Sequence, residues 1–280
     1  MISSYKQQIL LQPKSNPIIG GLWIENVANQ IKNSNFKGNV WPINPHRKSI
    51  AGYKCFQDIS DLPGVPDTAF IGVNRTKTLE ILTKLNEVGC GGATCFAAGF
   101  SEVDKYGKQL QKKLSKASKD MPFLGPNCYG YINYLDHIHM WPDQHGGKEV
   151  EKGVAIIAQS SNIAINLTMN TRSTPIAYVL TTGNQAKIDM SDLGIAMIND
   201  KRVTAIGIYI EGFKDIKKFE KMAFSALRSN IPIVVLKSGK TDLSKKQSFS
   251  HTASITGDSD ISSAFLKRLG IVEVDDLELF

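Results

Sequence analysis

The stretch VAIIAQSSNIAINL, residues 154–167, decides the fold class. Val154–Ala158 is apolar without alternation, which reads as a strand buried on both faces. From Asn162 to Thr171 apolar residues recur at helical spacing. A buried strand that passes almost at once into a helix belongs to an α/β fold, in which helices cover a largely parallel sheet. The junction also aims backbone N–H groups, two serine hydroxyls and the positive end of a helix dipole at one point. Such a point suits phosphate or another anion. On these residues alone, plain N-capping by Ser161 or Asn162 explains the junction equally well.

The same alternation continues downstream. Strands are expected at Ile176–Leu180, Val203–Ile210, Ile231–Leu236 and Ile271–Val274, with helices at Met190–Asn199, Ile216–Ser229 and Ser259–Leu269. In the last helix Ile261, Phe265 and Leu269 share a face, Asp258 or Ser259 can cap the start, and Gly270 ends it. Upstream, strands are expected at Asn16–Gly20, Asn39–Ile43, Thr68–Val73, Ala93–Ala97 and Pro122–Leu124. Helices fall at Trp23–Ile31, Thr76–Glu87 and Asp104–Lys116. Periodicity is lost over Asn133–Lys152, so the expected division is into residues 1–149 and 150–280, each with a doubly wound parallel sheet. The final DDLELF resembles the first turn of a further helix, as at a domain edge.

Composition narrows the function. Of 280 residues, 42% are hydrophobic and 21% charged, ordinary for a globular chain. No apolar run reaches the roughly 20 residues of a membrane span, and the start lacks the apolar core of a signal peptide. The four cysteines (Cys55, Cys90, Cys95, Cys128) have neither metal-type nor disulfide-framework spacing, which points to a reducing, cytoplasmic setting. The net charge of +7 fits a polyanionic ligand, but it fits a dispersed lysine surface as well. Nucleic-acid binding is not expected, because the basic residues form no stripe. His137, His139 and His145 include an H-x-H pair but no converging cysteine or acid, and no metal site is expected.

Open parallel sheets bind ligands at the carboxyl ends of their strands. The loops there are IGGLW (19–23), INPHR (43–47), VNRT (73–76), AAGFS (97–101), LGPNCYG (124–130), AQSSN (158–162), TTGNQA (181–186), YIEGF (209–213), KSGKTD (237–242) and SHTASITG (250–257). IGGLWIENVA is not the G-x-G-x-x-G of nicotinamide enzymes, and Asn44-Pro45-His46-Arg47 stands where an acid would hold a ribose diol. Glu211, after an apolar strand, is a candidate to orient an imidazole or simply a solvated strand-end acid. Cys128 has no neighbouring cation to lower its pKa and reads as a packing residue. His251 sits among small hydroxyl and methyl side chains.

Taken in order, VWPINP (40–45), FAAGFSE (96–102), LGPNCYGYIN (124–133), IAQSSNIA (157–164), TTGNQA, YIEG and KSGKT…SHTASITG resemble the α-subunit portion of the NDP-forming acyl-CoA synthetases, relatives of succinyl-CoA synthetase. The resemblance implies a Rossmann-like CoA-binding domain followed by a flavodoxin-like ligase domain. It implies that His251 carries a phosphoryl group, that Glu211 holds that histidine, and that Ser160 and Ser161 ahead of Asn162 cradle phosphate. CoA would lie against Gly20, Asn44, Pro45, Arg47, Val73, Asn74, Ala98, Gly99 and Phe100, with Asn127 and Cys128 near the thiol. Ser161 and Asn162 stand where Gly-Ala is commoner in the family, and Ala253 where glycine is usual. The expected reaction joins a small carboxylic acid to CoA with ATP, releasing ADP and phosphate. ATP/ADP and magnesium would be bound by an ATP-grasp β-subunit or C-terminal domain outside this chain, in an oligomer. A non-catalytic CoA-sensing module of a protein acyltransferase is the alternative, disfavoured by retention of both His251 and Glu211.

Overall fold

A computed structural model describes residues 9–238 and 259–280. His251 and its neighbours therefore lie outside the described residues. The first sheet is built from β1 (Ser15–Gly20) and β2 (Asn39–Ile43), the latter followed by a two-stranded ribbon, β3 (Ser49–Ile50) and β4 (Tyr53–Lys54). It continues with β5 (Ala69–Gly72), β6 (Ala93–Cys95) and β7 (Phe123–Leu124), in spatial order β2-β1-β5-β6-β7 and parallel throughout. Helices α1 (Trp23–Asn33), α2 (Arg75–Glu87) and α3 (Lys105–Ala117) supply the crossovers. Asn74 and Asp104 cap α2 and α3 by accepting from Lys77 N and Gly107 N.

The second sheet adds an antiparallel hairpin, β8 (Tyr131–Asn133) and β9 (Ile138–Met140), to β10 (Gly153–Ala158), β11 (Ile176–Thr181), β12 (Val203–Ile210), β13 (Ile233–Lys237) and β14 (Val272–Val274). Its order is β14-β13-β12-β10-β11-β8-β9. The helices are α4 (Ser161–Thr168), α5 (Met190–Asn199), α6 (Ile216–Arg228) and α7 (Ser259–Arg268). The α/β class with two parallel-sheet units is thus as expected, and β12 and α5 begin and end where the sequence pattern puts them. Among the described residues no helix is long and apolar enough to cross a membrane.

Two features were not expected. The Ser49–Lys54 ribbon is too short for periodicity to register. The β8–β9 hairpin draws residues ahead of the 149/150 division into the second sheet, where β8 pairs antiparallel with β11. Tyr131, Ile132 and Asn133 are all wholly buried, so the strand has no polar face to betray it. The hairpin also binds the two sheets together. From α1, Asn26 donates to Pro142 O at 3.0 Å and Gln30 to Asp143 O at 2.6 Å, and Ser34 at its C-terminal end donates to His137 O at 2.6 Å. One apolar core accordingly runs from Ile18, Ile24 and Ile31 through Tyr131 and Met140 to Tyr178 and Leu193. His139 points away from this core, its ring edge-on to Tyr134 at 5.4 Å between centroids. The ring is also edge-on to His145 at 4.7 Å between centroids, and burial pushes its pKa down to about 3, so it acts as a neutral aromatic.

The turn of the hairpin is pinned by charge. Arg202 makes a two-pronged pair with Asp136, at 2.8 and 2.9 Å, and reaches Asp200 at 2.9 Å. Burial works to raise the pKa of Asp136, but the hydrogen bonds from Arg202 and Asn133 outweigh it and hold the carboxyl below its ordinary range. A folded-state pKa below the unfolded one stabilises the protein above the unfolded value, and the contribution disappears as pH falls through the folded one. Asp136→Asn is therefore expected to lower stability at neutral pH by about 1 kcal/mol, the pair being partly screened. It should also flatten the loss of stability below about pH 4. Denaturant midpoints measured across that window for both proteins check this; parallel pH curves would contradict it.

Candidate functional site

Both sheets reverse their strand order at a central strand. In the first, β1 lies between β2 and β5; in the second, β10 lies between β11 and β12. Crevices open at such reversals, outside the carboxyl ends of the strands. The end of β10 is Ala158, followed by Gln159, Ser160 and the start of α4. Gln159 is 6% exposed, and its side-chain oxygen accepts from Glu211 N at 2.5 Å and Gly212 N at 2.9 Å, just past the end of β12. This side chain ties the two strand ends together across the crevice.

Ser160 is the N-cap of α4, rather than Ser161 or Asn162. Its backbone is extended and its Oγ accepts from Ile163 N at 3.4 Å. Ser161, in the first turn, accepts from Tyr129 N at 3.0 Å, which fixes the chain after Cys128 against the helix start. Glycine in this position would leave that N–H without this partner.

From the first sheet, the chain after β7 turns at Asn127, held with φ of 61° by its own N–H donating to Ala97 O at 2.9 Å. Cys128 behind it is buried, and burial pushes its thiol up to about 12. It is a packing thiol at neutral pH and not a thiolate nucleophile. The Ala98–Phe100 turn is organised by Glu102, whose carboxylate accepts from Gly99 N at 2.6 Å and Phe100 N at 3.1 Å. The same carboxylate accepts from Asn184 at 2.5 Å, and Asn184 also donates to Gln111 at 2.9 Å. Glu102 thereby clamps a loop of the second sheet onto the first.

These loops enclose one cleft of about 340 Å³. It is lined by Ala98, Asn127, Cys128, Ser160, Ser161, Asn162 and Glu211, seven residues singled out from the sequence. Phe96, Tyr129, Gln159, Gly183 and Asn184 complete it. Phe96 and Tyr129 form an aromatic wall, with ring centroids 5.7 Å apart and the Trp23 ring tilted against Phe96 at 5.3 Å. The N-terminus of α4 faces this space with partial positive charge, and the Glu211 carboxylate belongs to the same lining. A tetrahedral oxyanion could be held on one side and a cationic or hydrogen-donating group on the other.

The remaining expected CoA contacts lie apart from this cleft, mostly around the reversal in the first sheet. Gly20 has φ of 149°, and a Cβ there would fall 2.3 Å from Gly72 O, so close approach of β1 and β5 requires glycine. Asn44 is buried, donating to Gly20 O at 2.8 Å and accepting from His46 N at 2.9 Å. Pro45 and Arg47 are exposed, Arg47 pairing with Glu25 at 2.7 Å. Val73 is half-buried and Asn74 caps α2. Gly99 accepts from Arg75 through its carbonyl at 2.6 Å, and Phe100 is wholly buried under the turn. Gln159, Gly183, Asn184 and Glu102 were not chosen from the sequence, although each falls in or beside a loop already marked by its place at a strand's carboxyl end.

Comparison with known proteins agrees with this architecture. Residues 24–134 match a CoA binding domain, and residues 151–280 match a succinyl-CoA ligase like flavodoxin domain. An ADP-forming acetate–CoA ligase of Methanocaldococcus jannaschii is 33% identical over 98% of this chain, which spans 39% of that protein. The α subunit of ADP-forming acetate–CoA ligase II of Pyrococcus furiosus is 29% identical over 86% of this chain, covering 53% of that subunit. A solved structure of the dinucleotide-forming acetyl-coenzyme A synthetase 1 of Candidatus Korarchaeum cryptofilum, in complex with phosphate and ADP, superposes with a TM-score of 0.87. It is 29% identical and matches 97% of this chain and 60% of that one. The chain thus spans about two-fifths of the length of the first of these relatives.

Proposed function

By its CoA-binding domain and its succinyl-CoA-ligase-like flavodoxin domain the chain belongs to the NDP-forming acyl-CoA synthetases, and on that premise we propose that it is the CoA-binding and phosphoryl-carrying part of an acid:CoA ligase. The overall reaction is acid plus CoA plus ATP to acyl-CoA, ADP and phosphate. The observation that carries this reading is the convergence of the α4 N-terminus, Glu211 and the Asn127–Cys128 turn on a single cleft between the two sheets.

In the proposed cycle, the substrate carboxylate attacks a phosphoryl group on His251, breaking the N–P bond and forming an acyl phosphate. The thiol of CoA gives up its proton and attacks the acyl carbon; the C–S bond forms, the bond from that carbon to the bridging oxygen breaks, and phosphate leaves with its electron pair. ATP restores phospho-His251 and departs as ADP. Ser160, Ser161 and Asn162 hold the phosphoryl oxygens at the helix start, where a fixed dipole stabilises charge without reorganisation. Glu211 holds the imidazole by its other nitrogen, following orienter logic. CoA extends along the first sheet from Gly20, Asn44, Pro45, Arg47, Val73 and Asn74 to the Ala98–Gly99 turn, with its thiol toward Asn127. The nucleotide and magnesium belong to an ATP-grasp partner, and the organic substrate is a small carboxylic acid.

The test combines the chain with its ATP-grasp partner, labelled ATP and magnesium. The expected product is protein-bound phosphate that is labile to acid and stable to base, as for phosphohistidine. Absence of label, or a base-labile acyl phosphate on a carboxylate, would overturn the phosphohistidine reading. Calorimetry of CoA against the chain checks the first domain separately; no heat at high micromolar concentration contradicts it.

A further inference from the structure

Among the described residues, the side chain of Gln159 is committed at one end and uncommitted at the other. Two backbone N–H groups, those of Glu211 and Gly212, point at its terminal oxygen. Only an acceptor can occupy that position, so the amide orientation is settled by its partners, and the NH2 group must face the opposite way. That Nε2 is buried and finds no hydrogen-bond partner among the described residues. The residue is 6% exposed and lines the cleft. Buried amide donors in native folds are nearly always satisfied, and an exception marks a place that a ligand or ordered water completes.

The surroundings say what that ligand is. Ser160, the next residue, caps α4, so the N–H groups of Ser161 and Asn162 stand in its first turn, where no intrahelical acceptor exists. The Ser160 and Ser161 oxygens already accept from Ile163 N and Tyr129 N, which leaves each hydroxyl proton to donate. The Gln159 Nε2, the two serine hydroxyl protons and the first-turn N–H groups are thus all donors. A tetrahedral oxyanion with three terminal oxygens matches such a set better than a neutral or cationic group.

We propose that Gln159 is a binding residue of this site: its Nε2 donates to a phosphoryl oxygen held at the start of α4, while its Oε1 fixes the Glu211–Gly212 turn. One side chain then couples the position of the phosphoryl group to that of Glu211. The inference rests on the phosphate cradle proposed above and adds a donor that the serines do not supply.

Gln159→Glu separates the two ends. A carboxylate keeps an acceptor for Glu211 N and Gly212 N but replaces the donor by a negative oxygen. Inorganic phosphate titrated calorimetrically into the full chain is expected to bind Gln159→Glu roughly 10- to 100-fold more weakly than wild type. CoA titrated in parallel reports that the variant is folded. Should the variant not fold, the wild-type protein answers alone, since the Gln159 side-chain amide resonances are expected to shift as phosphate saturates the site. Phosphate binding of equal strength in wild type and Gln159→Glu, or amide resonances that stay in place as phosphate binds, overturns the role of Gln159 while leaving the cradle standing. Failure of wild type to bind phosphate removes the cradle and the inference together. Acetate is the second arm: if acetate binds and phosphate does not, the site takes a carboxylate and the phosphoryl assignment falls.

Discussion

Gly183→Ala is expected to dismantle the cleft, with a loss of stability of about 3 kcal/mol or more and at least a roughly 100-fold loss of the proposed CoA-dependent activity. Gly183 has φ of 51°, in the left-handed region that alanine adopts only with strain. Its added Cβ would stand 2.3 Å from Asn127 O, 2.4 Å from Pro126 O and 2.7 Å from Asn127 C. All three are backbone atoms, so no side chain can swing away. The contact is also locked from outside. Asn184 N donates to Pro126 O and Ala186 N to Gly125 O, each at 2.9 Å, so the 182–186 turn and the 125–128 turn cannot separate without breaking both. Relief must displace Asn127 and Cys128 relative to Ser161 and Glu211, which is the geometry that the proposed thiol attack depends on. Gly21→Ala is the control, because nothing among the described residues lies within 4 Å of a Cβ there and its φ is outside the left-handed region. Melting temperatures of both variants, with CoA calorimetry and phosphate labelling of Gly183→Ala, make the comparison. A Gly183→Ala protein that melts and binds CoA like wild type would show that the two turns are not coupled as described.

How far the sequence reaches differs between fold and site. Long elements were legible because their apolar spacing is a local property. In Val203–Ile210 the buried Ile206, Ile208 and Ile210 alternate with half-buried Gly207 and Tyr209, and Met190–Asn199 is capped by Asp189, whose carboxylate accepts from Ser191 N and Asp192 N. The β8–β9 hairpin escaped because its pairing partner, β11, lies more than 40 residues downstream. Three buried residues carry no period of their own. For the site, marking the carboxyl ends of strands located every loop that lines the cleft, since that rule follows from topology. Individual residues within the loops are less legible. Asn44 is spent on the carbonyl of Gly20 and the N–H of His46, because a short polar side chain in a turn satisfies its own backbone first. Gln159 is illegible for the opposite reason. Its burial and its fixed orientation come from Glu211 and Gly212, 52 and 53 positions away, and nothing beside it in the chain announces them.

The second large effect concerns Glu211. On the proposed cycle, Glu211→Gln is expected to slow phosphorylation of His251 by roughly 10²- to 10⁴-fold, as when the orienting carboxylate of a catalytic imidazole is replaced by its amide. The substitution is isosteric, and the backbone N–H groups that Gln159 holds at this turn remain, so the strand end stays in place. What changes is charge. A carboxylate beside an imidazole favours the protonated ring and so raises its pKa, whereas the attacking form is the neutral ring. Removing the charge lowers that pKa, so the neutral fraction becomes complete at lower pH. The rate of the variant should therefore be small at every pH yet reach its plateau at lower pH than wild type does. A residue that merely filled space would lower the rate without moving the profile. Single-turnover labelling across pH, with His251→Asn setting the unlabelled baseline and CoA calorimetry confirming an intact first domain, resolves the two. If Glu211→Gln labels at the wild-type rate, or if its lowered rate keeps the wild-type pH profile, Glu211 does not orient the phosphoryl carrier, and the imidazole must be held by a group supplied from elsewhere.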